Sequence, residues 1–185
     1  MSQDNFHITI HMVASVDGFI AKKDNSIGWF ETSSQYEKGE VGQDVATFLQ
    51  TIDCYIMGAN TYQLAVELSK NYGWAYGDTP TIVLTHRQLV DDRPNIQFYN
   101  GNLNQLISEK LKPNFNNVWV VGGASLCKQM MQQQLADTIR ISILPIILGD
   151  GLPYFNQIGQ EQKLRLINTI AYKNGMVELS YELIK

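Results

Sequence analysis

Two of the strands predicted in this chain end in glycine and lead straight into a helix. The first junction is CYIMGANT at residues 54–61, and the second is VWVVGGASL at residues 118–126. A glycine at the end of a buried strand lets a ligand approach the backbone, and the helix that follows offers free N–H groups and a positive dipole to phosphate. Two such junctions in one chain predict a long ligand that carries more than one phosphate group.

Each junction also has a simpler interpretation, in which the glycine only ends a strand where the backbone needs a positive φ angle. The G-x-G-x-x-G dinucleotide fingerprint and the G-x-x-x-x-G-K-[ST] phosphate loop are both absent from the sequence. The sequence therefore favours neither a Rossmann dehydrogenase nor a P-loop nucleotidase.

The hydrophobic period alternates between that of strands and that of helices, which is typical of layered α/β proteins. Strands are predicted at residues 8–13, 54–57, 81–85, 96–99, 118–121, 138–144, 164–172 and 176–184. Helices are predicted over 41–52, from an Asn60 N-cap with Leu64, Ala65 and Leu68 facing inward, around 103–111 and over 125–134. Because Asn174-Gly175 is a tight-turn signal, we predict a mostly parallel sheet that ends in an antiparallel C-terminal hairpin.

The last predicted strand has a polar side and an apolar side. Its apolar residues are Val177, Leu179, Tyr181 and Leu183, and they alternate with Glu178, Ser180 and Glu182. Since side chains alternate across a strand, we expect this strand to be half exposed. The residues from 28 to 39 and from 71 to 79 are predicted to be long functional loops.

Length, composition and charge exclude several classes of partner. With 185 residues, of which 44% are hydrophobic, the chain is predicted to be a single domain spanning residues 1–185. A net charge of −4 and the lack of a Lys/Arg run argue against nucleic acid or a membrane as partner. The first residues, MSQDN, do not resemble a signal peptide, so we expect a cytoplasmic protein. No metal site is predicted, because His7 and His11 have no further ligands at suitable spacing.

Four sequence blocks carry a resemblance to a known family. They are VASVDGFIA at residues 13–21, MGANTY at 57–62, VGGASL at 121–126 and LPIILGDG at 144–151. In order and spacing they resemble the dihydrofolate reductase superfamily, and more closely the branch that shares the C-terminal reductase domain of bacterial riboflavin biosynthesis. The resemblance covers nearly the whole chain and implies a dihydrofolate reductase-like three-layer α/β fold.

The resemblance also implies an activity and a binding site. It implies a reductase that passes hydride from NADPH, with NADH as the other possible cofactor, to a C=N bond of a pterin-like or pyrimidine-like ring. The residues it implies are Val13, Ala14 and Ile20 for the nicotinamide, Gly58, Ala59, Asn60 and Thr61 for the phosphates, Thr85, His86 and Arg87 for the adenosine ribose, and Gly122, Gly123, Ala124, Ser125 and Leu126 to complete the cleft. Backbone N–H groups and a basic side chain are what a dinucleotide requires.

The proton that accompanies the hydride must come from the protein or from water, because the cofactor supplies only the hydride. A carboxyl group in an apolar setting suits this task, since desolvation raises its pKa. Asp44 is our candidate, because it follows Val41 by three residues and precedes Phe48 by four on the predicted helix. The resemblance also places a substrate-binding acid near here. The alternative is a solvent-facing acid in the first helical turn, and Glu40 replaces Asp44 if the helix is rotated.

Two residues of the loop after the first strand leave a choice open. Asp17-Gly18 forms a hairpin turn, or Asp17 is an acid that acts near the nicotinamide or the substrate. Trp29 either stacks on a planar substrate or covers the core, and we assign it to the substrate site because it follows this loop.

The sequence departs from the family pattern at two places. Many members carry arginine directly after the first glycine to bind the 2′-phosphate of the cofactor, whereas this chain has Ala59. His86 and Arg87 are expected to take over that contact. Riboflavin-pathway reductases also carry a glutamate before the paired glycines and an Asp-Asp or Asp-Pro element after the first glycine block. This chain has Val121 in place of the glutamate, and residues 63–66 are QLAV in place of the Asp-Asp or Asp-Pro element.

We therefore expect an NADPH-dependent reductase of a small nitrogen heterocycle, and the closer branch implies a homodimer. One alternative is the 5-amino-6-(5-phosphoribosylamino)uracil reductase of riboflavin synthesis, although the zinc deaminase signature of that pathway is absent. A second alternative, from another class, is a non-catalytic dinucleotide-binding protein. Asp44 facing the cleft favours the enzyme, and Asp44 in solvent favours the binding protein.

Overall fold

The computed structural model of the chain describes residues 6–30, 45–155 and 157–185. Its strands are β1 (His7–Ser15), β2 (Phe19–Ala21), β3 (Cys54–Gly58), β4 (Thr81–Leu84), β5 (Ile96–Tyr99), β6 (Asn117–Gly122), β7 (Thr138–Leu144), β8 (Leu152–Pro153), β9 (Leu164–Ala171) and β10 (Val177–Leu183). Its helices are α1 (Val45–Thr51), α2 (Ala59–Tyr72), α3 (Leu103–Gln105, continued as a π-helix over Leu106–Leu111) and α4 (Ala124–Gln132).

Eight of these strands form one sheet in the order β5-β4-β3-β6-β1-β7-β10-β9. The strands from β5 to β7 pair in parallel, whereas β10 is antiparallel to both β7 and β9. The predicted mostly parallel sheet with an antiparallel C-terminal hairpin is thus confirmed. The remaining two strands, β2 and β8, pair antiparallel in a small separate sheet that the sequence pattern did not predict.

Helices cover both faces of the large sheet. Successive side chains of a strand point to opposite faces, so each strand packs against helices on both sides. On one face, Ile56 of β3 belongs to the same core cluster as Leu106 and Met130, from the two helices that precede and follow β6. On the other face, Tyr55 packs in a cluster with Tyr62 of α2 and Phe48 of α1. The fold therefore has three layers.

The helix after the first glycine junction differs from the sequence prediction. Its N-cap is Gly58 instead of Asn60, so the helix begins at Ala59. Its buried residue is Tyr62, and the predicted inward residue Leu68 is exposed. The helix has apolar residues on two sides, and the sheet selects the side that carries Tyr62 because that ring packs among the aromatic residues of its cluster. In the part of the chain that the structure describes, no helix has the length and apolar character needed to cross a membrane.

Candidate active site at the carboxyl edge of the sheet

The two glycine junctions meet at one edge of the sheet. The parallel strands β4, β3, β6, β1 and β7 are neighbours, so their carboxyl ends all lie at this edge. A Cβ atom placed on Gly58 would lie 3.8 Å from the Gly123 amide nitrogen and 3.9 Å from the Gly122 carbonyl oxygen. A Cβ on Gly123 would lie 3.3 Å from Thr61 Oγ1. The residues assigned to the phosphates and to the opposite wall are therefore in contact range of each other.

Both junctions present a helix N-terminus to this edge. The N-cap residues are Gly58 for α2 and Gly123 for α4, and glycine has no side chain with which to cap the first N–H groups. Both helices are longer than two turns, so each has a dipole whose positive end points at the edge. Gly122 has a φ angle of 124°, and a Cβ there would lie 3.3 Å from Met12 Cε. Glycine is required at that position to keep this backbone conformation.

The third predicted wall follows β4. It carries a basic side chain, whereas position 59 is alanine. Thr85 is buried, and its Oγ1 accepts a hydrogen bond from the Arg87 amide at 2.9 Å. Arg87 and His86 are exposed. The Arg87 Nη1 atom donates to Gln63 Oε1 on α2 at 2.9 Å. Arg87 is thus held against α2 at Gln63, one helical turn beyond Ala59.

A carboxylate further along the same loop fixes that wall to α2. Asp91 accepts hydrogen bonds from the Tyr62 hydroxyl at 2.5 Å and from Arg93 Nε at 2.8 Å. The Arg93 hydrogen bonds, followed by that of Tyr62, hold the pKa of Asp91 well below its usual range. Burial and Asp91 raise the pKa of Tyr62 to about 12. The Arg93 guanidinium also lies 3.7 Å from the centre of the Trp74 ring, so this part of the predicted 71–79 loop is packed in place.

The loop after β1 contains Asp17, for which the sequence left two interpretations open. Its carboxylate accepts hydrogen bonds from the Ser15 hydroxyl at 2.6 Å and from the amides of Leu148 and Gly149 at 3.1 and 2.7 Å. The Ser15 hydroxyl, followed by the two amides, lowers the pKa of Asp17. An ionised carboxylate with three donors is a poor proton donor, so these contacts favour a structural role in the turn. The catalytic role of Asp17 stays a prediction.

The other predicted residues of the nicotinamide and substrate end lie in two different environments. Val13 is half-buried beside the cluster that contains Trp29 and Leu144, whereas Ala14 is buried in the core cluster of the α3 and α4 face. Ile20 packs against the core cluster of the α3 and α4 face. The side chain of Trp29 is only 6% exposed, so it covers the core in this structure. Its assignment to the substrate site is a prediction that this burial does not support.

The preferred proton donor, Asp44, and its substitute, Glu40, lie outside the residues that the structure describes. Within the described ranges, no group of three or more His, Cys, Asp or Glu side chains could hold a metal ion. His7 bonds through Nε2 to Thr138 Oγ1 at 2.7 Å near the start of β1, whereas His11 is buried deeper along the same strand.

His11 belongs to a buried polar cluster that sequence reasoning missed. Its Nε2 atom lies 2.9 Å from Ser142 Oγ, whose hydroxyl donates to Glu178 Oε2 at 3.2 Å. Arg140 forms an ion pair with Glu178 and lies 3.9 Å from the centre of the Phe48 ring. Burial and then Arg140 lower the pKa of His11 to about 3, so the imidazole is neutral at ordinary pH. Since the Ser142 proton goes to the carboxylate, the imidazole N–H donates to Ser142 Oγ.

The position of Glu178 corrects the interpretation of the last strand. Its side chain is 2% exposed, although the alternation placed it on the polar, solvent-facing side of β10. The physical reason is that Arg140 and Ser142 of β7 lie on the same face and provide a charged partner and a hydroxyl donor. Glu178 therefore lies on the buried face of β10.

We predict that Glu178→Ala lowers the free energy of unfolding by about 3–5 kcal/mol, because it leaves the buried Arg140 charge without its partner. Urea unfolding followed by circular dichroism measures the change. Glu182→Ala is the matched control on the same strand, since Glu182 pairs with Arg165 at the surface and such pairs contribute about 1 kcal/mol or less. Equal losses in the two variants would contradict the prediction.

Comparison with known proteins identifies the family of this chain. The model of the RibD C-terminal domain matches residues 6–178. This chain belongs to the RibD C-terminal domain family. The dihydrofolate reductase-like fold and the riboflavin-biosynthesis branch predicted from the four sequence blocks are thereby confirmed.

Two proteins of Bacillus subtilis (strain 168) are similar to this chain along almost their whole length. The uncharacterized protein YwjB is 30% identical over 172 residues, which cover 93% of this chain and 95% of YwjB. The uncharacterized protein YyaP is 25% identical over 183 residues, which cover 94% of this chain and 93% of YyaP.

Solved structures with 20% identity or less share the fold. A protein of Shewanella sp. PV-4 named for riboflavin biosynthesis has a TM-score of 0.81 and 20% identity, and the match covers 97% of this chain and all of that chain. A pyrimidine reductase-like protein of Corynebacterium diphtheriae has a TM-score of 0.70 and 15% identity, with 97% and 92% covered. RibD of Acinetobacter baumannii has a TM-score of 0.71 and 15% identity, and the match covers all of this chain but 59% of RibD.

Proposed function

We propose that this protein is an NADPH-dependent reductase that transfers hydride to a C=N bond of a small pterin-like or pyrimidine-like heterocycle. The observation that carries the proposal is the meeting of two uncapped helix N-termini at one sheet edge, beside an exposed arginine. Such an edge offers N–H donors and positive charge over the length of a dinucleotide. Membership in a family named for the RibD C-terminal domain supports the proposal, as does the name of the pyrimidine reductase-like neighbour.

The pyrophosphate is proposed to bind between the two junctions. Residues 58–61 begin α2, residues 122–126 begin α4, and their glycines approach within van der Waals distance. Because no side chain stands between the strand ends at this point, a phosphate oxygen can reach the free N–H groups of both helices. The nicotinamide is proposed to lie toward Val13, Ala14 and Ile20, since β1 is the neighbour of β6 in the sheet.

The 2′-phosphate of NADPH is proposed to bind Arg87 and His86. These residues take the place of the arginine that many family members carry at the position of Ala59. Both side chains are exposed at the end of β4, next to the first turn of α2. The Gln63 amide oxygen holds the Arg87 guanidinium by one N–H group and leaves its other donors for a phosphate. Asp91 holds the same loop through its hydrogen bond with Arg93. We therefore expect Arg87 to be oriented before a ligand binds.

The proton for the substrate nitrogen is proposed to come from Asp44, because Asp17 is ionised and engaged in three hydrogen bonds. The next residue of the chain begins α1, whose Phe48 ring lies 5.4 Å from the Trp119 ring of β6. This helix is therefore packed on a strand that ends in the second glycine junction. That packing supports a role of the preceding acid near the cleft.

The riboflavin-pathway uracil reductase is the second candidate activity. A Thermotoga maritima protein is named as a deaminase and 5-amino-6-(5-phosphoribosylamino)uracil reductase. Its TM-score to this chain is 0.66, and the match covers 57% of the Thermotoga protein. This chain has Val121 where riboflavin-pathway reductases usually carry a glutamate. We therefore favour a different heterocycle as the substrate. A binding protein without catalysis is the candidate from another class, and only turnover distinguishes it.

The cofactor is tested first by thermal unfolding with NADPH and NADH. At a hundredfold excess over Kd, NADPH is expected to raise Tm by roughly 5–10 °C, because ligand binding at that excess stabilises the native state by about 2.7 kcal/mol. NADH is expected to raise Tm less. No shift with either dinucleotide would remove the proposed function.

Turnover is then tested by the loss of NADPH absorbance with a panel of pterins and pyrimidines. The reductase oxidises NADPH with at least one member of the panel, whereas a binding protein does so with none. The uracil reductase alternative predicts that the phosphoribosylaminouracil compound is the best substrate.

Arg87→Ala is expected to weaken NADPH binding by about 10- to 100-fold, because a hydrogen bond to a charged group contributes about 1.5–3 kcal/mol. NADH has no 2′-phosphate, so its affinity is expected to change by less than about threefold. Isothermal titration calorimetry measures both. Arg165→Ala removes the same charge from β9 and serves as the control, with no expected change for either cofactor. An equal loss of NADPH and NADH affinity would contradict a 2′-phosphate site at Arg87.

A second copy of this chain is the proposed protein partner, bound along β9. This strand is one edge of the sheet, and its apolar side chains Leu166 and Ile167 are 55% and 57% exposed. An open edge of eight residues with exposed apolar side chains favours pairing with another strand. A two-fold dimer in which β9 pairs with its copy covers both features.

The dimer predicts twice the chain mass in size-exclusion chromatography with light scattering. Leu166→Lys with Ile167→Lys is expected to give a monomer, because two buried charges would face each other across the interface. Tyr72→Lys changes a side chain at the end of α2 that is 75% exposed, and this variant is expected to stay dimeric. A wild-type monomer at micromolar concentration would exclude this partner.

A further inference from the structure

The loop after β1 and the loop after β7 are joined by backbone hydrogen bonds and by strand pairing. The Val16 amide donates to the Ile146 carbonyl at 2.9 Å, and the Tyr154 amide donates to the Gly18 carbonyl at 2.8 Å. The short strands β2 and β8 continue the pairing. Residues 16–21 and 146–154 therefore form one structural unit at the carboxyl edge of the sheet, next to β1 and β7.

Asp17 is the side chain at the centre of this unit. Its Oδ1 atom accepts from the Ser15 hydroxyl and from the Leu148 amide, and its Oδ2 atom accepts from the Gly149 amide. The last two bonds cross 131 and 132 positions of the sequence. Gly149 has a φ angle of 77°, a conformation that favours glycine, and its N–H group and that of Leu148 both point to the carboxylate. Both loops are thus shaped around the carboxylate.

Two apolar side chains stand beside this bridge without cover. Val16 precedes Asp17 and is 59% exposed, and Ile147 precedes Leu148 and is 72% exposed. The hydrogen bond between the Val16 amide and the Ile146 carbonyl keeps the two backbones adjacent. Neighbouring exposed apolar side chains are typical of surfaces that bind an apolar or planar ligand.

We propose that Asp17 is a positioning residue: its carboxylate joins the two loops so that Val16 and Ile147 form an apolar lip over the nicotinamide end of the cleft. This inference rests on the proposed function, because the ring that the lip covers belongs to the proposed cofactor. It gives Asp17 a role in orienting the dihydronicotinamide and none in proton transfer. Ring orientation matters to hydride transfer because small displacements of the reacting atoms slow it strongly.

The first test measures the bridge without any ligand. Asp17→Asn keeps the shape of the side chain but loses the charge and one acceptor oxygen, so backbone amides of residues 146–151 are expected to exchange with deuterium at least about tenfold faster. Asp24→Asn is the matched control. It makes the same charge change just after β2, where the Asp24 carboxylate accepts its hydrogen bonds from Ser26. Equal exchange in the two variants would overturn the proposal.

The second test uses NADPH and the fluorescence lifetime of its dihydronicotinamide ring. The lifetime is expected to lengthen on binding to the wild type and to Asp24→Asn, and to stay short in Asp17→Asn. Calorimetry is expected to show less than about a threefold change in Kd, because the phosphate contacts lie at other strand ends. A ring held equally well in Asp17→Asn would mean that the bridge is structural only, and would overturn the positioning role while leaving the proposed function intact.

Two further outcomes separate the inference from the proposed function. A wild type that does not bind NADPH removes both, even if the deuterium exchange shows that the bridge exists. If Asp17→Asn does not fold, Ser15→Ala is the second variant, since it removes one donor to the carboxylate and keeps the charge. It is then expected to show intermediate exchange and an intermediate lifetime, and wild-type values in both would overturn the proposal.

Discussion

The proposed binding edge of this protein depends on the parallel pairing of β6 with β3 on one side and with β1 on the other. The register sets Val120 beside both Ile10 and Ile56. Because strands of a parallel pair run in the same direction, this register brings their carboxyl ends to one edge. There Gly58 and the paired glycines meet closely enough that an added Cβ would touch the opposite backbone. The site is therefore built first from backbone, and side chains such as Arg87 are added at its ends.

The two faces of the sheet have different chemistry, and this difference fixes the C-terminal hairpin. The face under α3 and α4 is apolar, whereas the face under α1 contains the Arg140–Glu178 ion pair. Glu178 is the cross-strand partner of Ser142 in the antiparallel pairing of β10 with β7. A slip of one residue would turn Glu178 to the other face and leave the buried Arg140 without its partner. The ion pair thus holds β10 in register and, through β10, the edge strand β9.

The fold and the two glycine junctions at its carboxyl edge could be predicted from sequence, because their signals are local. Glycine at the end of an apolar strand is visible in eight residues, and so is the turn at Asn174-Gly175. The contacts of Asp17 with Leu148 and Gly149 are not visible, because these partners lie 131 and 132 positions away and are backbone amides, which carry no sequence signal. The burial of Glu178 depends on an arginine in another strand, so the alternation within β10 gave the wrong face.

The account joins these features into one claim, that the carboxyl edge of the sheet binds a nicotinamide dinucleotide along the strand ends. Hydrogen–deuterium exchange of the intact chain with and without NADPH tests this claim most directly, because it locates the ligand as well as detecting it. The account predicts slower exchange in residues 13–20, 57–62, 85–87 and 122–127, and unchanged exchange in β9 and at the amino ends of β4 and β5. Protection confined to other segments, or no protection at saturating NADPH, would contradict it.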